Sequence, residues 1–144
     1  FVDKFIGDAL LVVFGLFEQK GSADAGATAA LSCAAAMRAE LATLNADRAR
    51  RGLPALAIAG TIHSGEVVAG TIGAQDRHEF TVVGDTVNVA ARLQEIAKRK
   101  DWEFLASEAT LQRAYRCGAT PQTIESDAVP LRGRQEPVRV YRLS

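Results

Sequence analysis

The stretch Phe80-Thr81-Val82-Val83-Gly84-Asp85-Thr86-Val87-Asn88-Val89-Ala90-Ala91-Arg92-Leu93 constrains the fold of this chain more than any other segment. The run from His78 to Val83 predicts a strand, and Gly84-Asp85 breaks it. From about Thr86 to Lys100, Val89, Leu93, Ile96 and Ala97 fall on one side of a helix. A strand passing straight into such a helix needs a sheet on which the helix can bury its apolar side.

The flanking sequence supplies that sheet. Phe1 to Ile6, Gly7-Asp8, and Ala9 to Phe14 read as strand, tight turn and strand. Residues 15–23 are loop-like, and a helix is predicted from Asp24. Ala27, Ala30, Leu31, Ala34, Leu41 and Leu44 recur near a 3.6-residue period, with Asp24 as N-cap and Gly52-Leu53-Pro54 as the stop. Its many alanines suggest close packing on a sheet. Leu56, Ile58 and Ile62 alternate as a strand, Ser64-Gly65-Glu66 turns, and Val67 to Ile72 forms another strand closed by Gly73. After the second helix come a short strand at Trp102 to Leu105, a helix opened by Ser107, and two C-terminal strands ending with Val138 to Leu143. The expected fold is α+β, a sandwich whose antiparallel-rich sheet is covered by helices.

At 144 residues the chain suits a single domain. Seventeen basic residues balance 17 acidic ones, so no global charge points to nucleic acid or membrane. The basic clusters Arg48, Arg50, Arg51 and Lys98, Arg99, Lys100 sit near predicted helix ends, where solvated cations suit the helix dipole. Cys33 and Cys117 have no ligand spacing and read as reduced structural thiols. No apolar run is long enough to span a bilayer, and no signal peptide is visible. The chain opens on Phe1-Val2-Asp3-Lys4, already inside a strand pattern and without an initiator Met. Residues 1–144 are therefore expected to be one domain lacking its first strand and helices.

Two segments carry chemistry. A hairpin tip in Lys4-Phe5-Ile6-Gly7-Asp8-Ala9-Leu10 would project Asp8 beyond the sheet, where a carboxylate can hold a hard cation together with nucleotide phosphates. Gly-Asp turns are common, however, and alone mean only a turn. Asn88 and Arg92 lie four apart on one helix face, where an amide and a guanidinium can position a ribose and neutralise a phosphoryl transition state. On spacing alone the simpler reading is a solvated polar stripe continued by Glu95 and Arg99. His63 and His78 lack zinc-ligand company and read as structural, and there is no phosphate-binding GxxxxGK[ST] loop, Gly21-Ser22 following Lys20 in the wrong order.

Taken together, Lys4-Phe5-Ile6-Gly7-Asp8, His63-Ser64-Gly65-Glu66-Val67 and Gly84-Asp85-Thr86-Val87-Asn88-Val89-Ala90-Ala91-Arg92-Leu93 resemble the class III adenylyl and guanylyl cyclase family in order and separation. The resemblance extends to the closing Leu131-Arg132-Gly133 and the last strand, and implies that family's ferredoxin-like sandwich.

By this resemblance Asp8 matches the second of two metal-binding aspartates, for two Mg²⁺ or Mn²⁺ ions. Asn88 matches the ribose-orienting asparagine, and Arg92 the transition-state arginine. Lys4 matches the purine-reading lysine, with Thr81 at its partner position, aspartate in one subgroup and threonine in another. Arg132 stands where a lysine usually binds the terminal phosphates, so a planar fork replaces a point charge. Lysine can donate to adenine N1 and threonine can accept from the 6-amino group, whereas guanylyl cyclases typically carry glutamate and cysteine there. The implied reaction is conversion of ATP to 3′,5′-cyclic AMP and pyrophosphate.

The family's sites form between two protomers, so a homodimer with composite sites is expected, with ATP as substrate and a cytoplasmic location. Neither nucleic acid nor membrane contact by this domain is expected. The family's first metal-binding aspartate lies on a strand ahead of this segment, so the chain alone is expected to lack activity. A guanylate cyclase and a non-catalytic regulatory dimerisation module are the alternatives.

Overall fold

The core is organised by alternation along two strands. In the computed structural model, which describes residues 1–17, 23–74 and 77–144 apart from the side chains of 23, 74 and 77, all four residues of β6 (Phe104–Ser107) are buried. Leu105 joins one apolar cluster, while Phe104 and Ala106 join another. Val140 and Leu143 of β8 (Val138–Leu143) divide in the same way. Both strands are therefore covered on both faces, as the period of two requires.

These strands form the centre of a four-stranded sheet in the order β3-β6-β8-β7, flanked by β3 (Gly60–Ile62) and β7 (Thr123–Val129). β3 is parallel to β6, and the other pairs are antiparallel. On one face α2 (Asp85–Lys100) lays Val89, Leu93, Ile96 and Ala97 against Leu105, Val140 and Leu131. On the other, Leu31 and Ala34 of α1 (Ala23–Arg50) and Leu111 and Ala114 of α3 (Glu108–Arg116) cover Phe104, Ala106 and Leu143. Each fully buried aliphatic side chain contributes roughly 1.5–3 kcal/mol relative to exposure. Gly60 makes room for the Phe104 ring, which would lie 2.3 Å from an added Cβ.

Two antiparallel hairpins lie outside this sheet: β1 (Val2–Ile6) with β2 (Ala9–Val12), and β4 (Val68–Ala74) with β5 (Arg77–Val83). Ile6 pairs with Ala9, leaving Gly7-Asp8 as a two-residue turn in which Gly7 takes φ 63°. β5 runs into α2 through Gly84, as the sequence predicts.

Several details differ from expectation. Asp24 is not the N-cap but lies in the first turn of α1, where its carboxylate accepts from Arg116 at 2.8 and 2.9 Å and from Arg113 at 3.5 Å. The Arg116 hydrogen bond leads in holding that carboxyl below its usual range. Ala27, Ala30 and Ala34 pack closely, but nothing on α1 beyond Ala34 is buried, and Leu44 is exposed. α1 ends as expected: Leu53 N–H bonds to Arg48 O and Gly52 N–H to Ala49 O, with Gly52 at φ 67°.

The strand expected over 56–62 shrinks to Gly60–Ile62, because α1 satisfies the backbone before it. Asn45 pairs with both Leu56 N–H and Leu56 O at 2.8 Å, and Arg48 donates to Pro54 O. The strand expected from Trp102 starts at Phe104, because Trp102 N–H instead closes the end of α2 on Ala97 O. The loop expected over 15–23 lies partly, at 18–22, outside the described residues, as does the Lys20-Gly21-Ser22 segment. Cys33 and Cys117 are free and exposed rather than packed in the core. Among the described residues no helix is long and apolar enough to cross a membrane.

Candidate active site

The two hairpins bring Lys4 and Thr81 into one neighbourhood. The β1–β2 register passes from Val2 opposite Val12 to Lys4 opposite Leu11, so Asp3 is an extra residue, a β-bulge. Neighbours on a regular strand face opposite ways, but a bulge re-aims them. Asp3 accordingly reaches Thr81 and Lys4 reaches Glu79, two residues that share one face of β5. Thr81 Oγ1 donates to Asp3 Oδ2 at 2.8 Å. Lys4 Nζ lies 2.8 Å from Glu79 Oε1, and this hydrogen bond leads in raising the lysine's pKa, so the side chain stays cationic. Thr81 is buried, Lys4 half-buried. Beside them the rings of Phe1, Phe17 and Phe80 pack at 5.6 to 5.9 Å between centroids.

A second neighbourhood is built on α2. Asn88 is exposed, and Arg92 is half-buried one turn on. Arg92 Nη1 donates to the main-chain carbonyl of Arg132. The segment carrying Arg132 is anchored on both sides: Leu131 is buried against α2, and Arg134 forms an ion pair with Asp85. Arg134 N–H also bonds to Leu131 O at 3.1 Å, closing a turn. The Arg132 side chain is exposed, and its main-chain carbonyl lies against Arg92. Two guanidinium groups on one surface suit an oligophosphate.

Asp8 is exposed at the β1–β2 turn. Among the described residues no hydrogen bond or ion pair links it to Lys4, Thr81, Asn88 or Arg92. No group of three His, Cys, Asp or Glu side chains suited to a metal occurs among the described residues.

His63 and Ser64 are tied to the β6–α3 junction. His63 Nδ1 is 2.8 Å from Ser107 Oγ, and Ser64 Oγ is 3.0 Å from Thr110 Oγ1, which donates to Ile62 O at 3.2 Å. Burial lowers the His63 pKa, Arg134 adds to that, and Asp85 opposes it. His63 is half-buried and hydrogen-bonded, whereas His78 is exposed.

Sequence reasoning missed Asp3 and Glu79 as partners of Thr81 and Lys4, and Arg134 as the anchor of Arg132. The alternation of Thr81 with Glu79 was a usable signal, since residues two apart share a face. The bulge at Asp3 was not, because no glycine or proline marks it.

The model of the adenylate and guanylate cyclase catalytic domain matches residues 3–144. An adenylate cyclase of Anabaena cylindrica is 30% identical over 147 residues, covering 99% of this chain and 28% of that protein. An uncharacterized protein of Mycobacterium tuberculosis is 37% identical over 139 residues, covering 96% of this chain and 24% of its own length. The chain thus spans roughly a quarter of the length of these relatives. Among solved structures, the adenylyl cyclase CyaB from P. aeruginosa matches with a TM-score of 0.81 and 26% identity over 99% of this chain and 70% of that one. The guanylyl cyclase Cya2 matches with a TM-score of 0.74 and 27% identity, over 99% and 68%. With a sandwich of the same shape and a family match over nearly its whole length, the chain belongs to the class III adenylate and guanylate cyclase catalytic domains.

Proposed function

We propose that this domain is the catalytic unit of an adenylate cyclase, converting ATP into 3′,5′-cyclic AMP and pyrophosphate in intracellular signalling. The observation that carries the reading is the juxtaposition of Lys4, a cation held by Glu79, with the buried Thr81 hydroxyl. Lys4 donates to adenine N1, and Thr81 accepts from the 6-amino group. The phosphates then extend toward Arg92 and Arg132. The ribose 3′-oxygen attacks the α-phosphorus in line, and the bond to the pyrophosphate oxygen breaks as the new P–O bond forms.

Asn88 orients the ribose for that attack, and Arg92 faces the charge spreading over the α-phosphoryl oxygens. Arg92 spends one N–H on the Arg132 carbonyl, and a guanidinium has five. That bond fixes the plane of the guanidinium before substrate arrives. Arg132 binds the terminal phosphates.

The exposed Asp8 carboxylate, unpaired among the described residues, fits a hard divalent ion completed by phosphate and water oxygens. Bound Mg²⁺ or Mn²⁺, two in the full site, would supply charge neutralisation on the polyphosphate and acidify the attacking hydroxyl. Separation of Asp8 from the Asn88–Arg92 stripe supports a homodimer in which one protomer contributes Asp8 and its partner the rest. Exposed apolar side chains on the hairpins, Phe5 at 77% and Val68 at 70%, are of the kind that such an interface covers. A cytoplasmic location follows from where ATP is.

Likeness to the guanylyl cyclase Cya2 favours GTP as a second reading. The test is product identity when the full-length protein is offered ATP and GTP separately. Cyclic AMP supports the first reading, cyclic GMP the second, and no product from a folded dimer a regulatory module.

A further inference from the structure

We infer that Asp3 is the residue that sets purine selectivity, by fixing which way the Thr81 hydroxyl points. The inference rests on the adenylate cyclase reading and deepens it. Lys4 cannot discriminate alone, because an ammonium donates as readily to guanine O6 as to adenine N1. Nor can an unconstrained threonine hydroxyl, which is both donor and acceptor and rotates to suit its partner. Selectivity requires that one of those roles be removed.

The structure removes it. The Thr81 hydrogen is committed to Asp3 Oδ2 at 2.8 Å, and Thr81 is only 8% exposed. A carboxylate can only accept, so Asp3 never reverses the bond's direction. Toward a ligand Thr81 is left as an acceptor alone. It meets the adenine 6-amino donor favourably and the guanine O6 lone pairs unfavourably. Asp3 Oδ1 is buried and has no partner among the described residues, which adds unused acceptor capacity beside Thr81. The β-bulge at Asp3 is what allows this carboxylate to sit beside Lys4 and still reach β5. Asp3 is therefore a positioning residue acting through Thr81.

Asp3→Asn keeps the side-chain shape but can present N–H to Thr81, releasing the hydroxyl hydrogen to face the purine. In the full-length protein the ratio of kcat/KM for ATP to that for GTP should fall roughly 10- to 100-fold, the scale of one mispaired buried polar contact. In a Thr81→Val background the same substitution should leave the ratio unchanged, because its route of action is gone. A variant-free measurement guards against misfolding: inosine triphosphate, with the 6-oxo edge of guanine but no 2-amino group, should be rejected by the natural protein about as strongly as GTP. An unchanged ATP-to-GTP ratio in Asp3→Asn, or turnover of inosine triphosphate comparable to that of ATP, overturns the role of Asp3 while leaving adenylate cyclase activity standing. Absence of any cyclic product from the natural protein overturns both.

Discussion

Arg92 on α2 donates from Nη1 to the main-chain carbonyl of Arg132, tying the helix that bears Asn88 to the turn that bears a second exposed arginine. The contact sets the guanidinium in place without consuming its other donors. Arg92→Ala is therefore expected to lower turnover on the order of 10²–10³-fold, as loss of a donor aimed at developing charge does. Stability should change by less than about 1 kcal/mol, since the side chain is half-exposed. Steady-state kinetics beside urea unfolding of the same preparations checks both. Arg92→Lys should recover little, an ammonium lacking the planar fork.

Asp8 and Arg92 should complement each other across chains. Asp8→Ala and Arg92→Ala homodimers are each expected to be nearly silent, while a mixture of the two regains activity through the mixed interface that keeps one intact site. Titrating one variant into the other and following cyclic nucleotide formation checks this. A mixture as silent as its parents counts against shared sites.

His63 should make the fold sensitive to mild acid. Its folded pKa lies below the ordinary 6.5, chiefly because burial disfavours the imidazolium. The unfolded chain then binds the proton more readily, so stability is full above about 6.5 and falls as pH drops from there toward the folded pKa. Asp24 and Asp127, whose carboxyls are held low by Arg116 and Lys100, contribute their loss only at more acidic pH. Urea midpoints at pH 7.5 and 5.5 should differ more for the natural protein than for His63→Gln.

Leu93 is fully buried between α2 and the sheet, one residue along the helix from Arg92. Leu93→Ala should cost about 2–5 kcal/mol by lost transfer energy and a residual cavity. Activity at low temperature should survive in the fraction that remains folded. Thermal unfolding monitored by circular dichroism reads the loss.

Much of this was legible beforehand where local pattern and tertiary demand agree. The strand, break and helix through Gly84, the Gly7-Asp8 turn and the α3 start at Ser107 all follow from residues whose own preferences point one way. Segments that failed are those where a distant side chain intervened. Asn45 captured the backbone of Leu56, and Trp102 closed a helix instead of opening a strand. At the site, Asn88 and Arg92 could be placed on one stripe from spacing alone. The Asp3 bond to Thr81 could not, because it depends on a register irregularity 78 residues away in sequence.

The most direct test is cyclisation by the full-length protein with Mn²⁺, ATP and GTP offered separately, beside Arg92→Ala under identical conditions. Cyclic AMP from the natural protein, with little or none from GTP and near silence from the variant, is the expected result. Cyclic GMP in place of cyclic AMP would contradict the substrate, and undiminished turnover by Arg92→Ala would contradict the site.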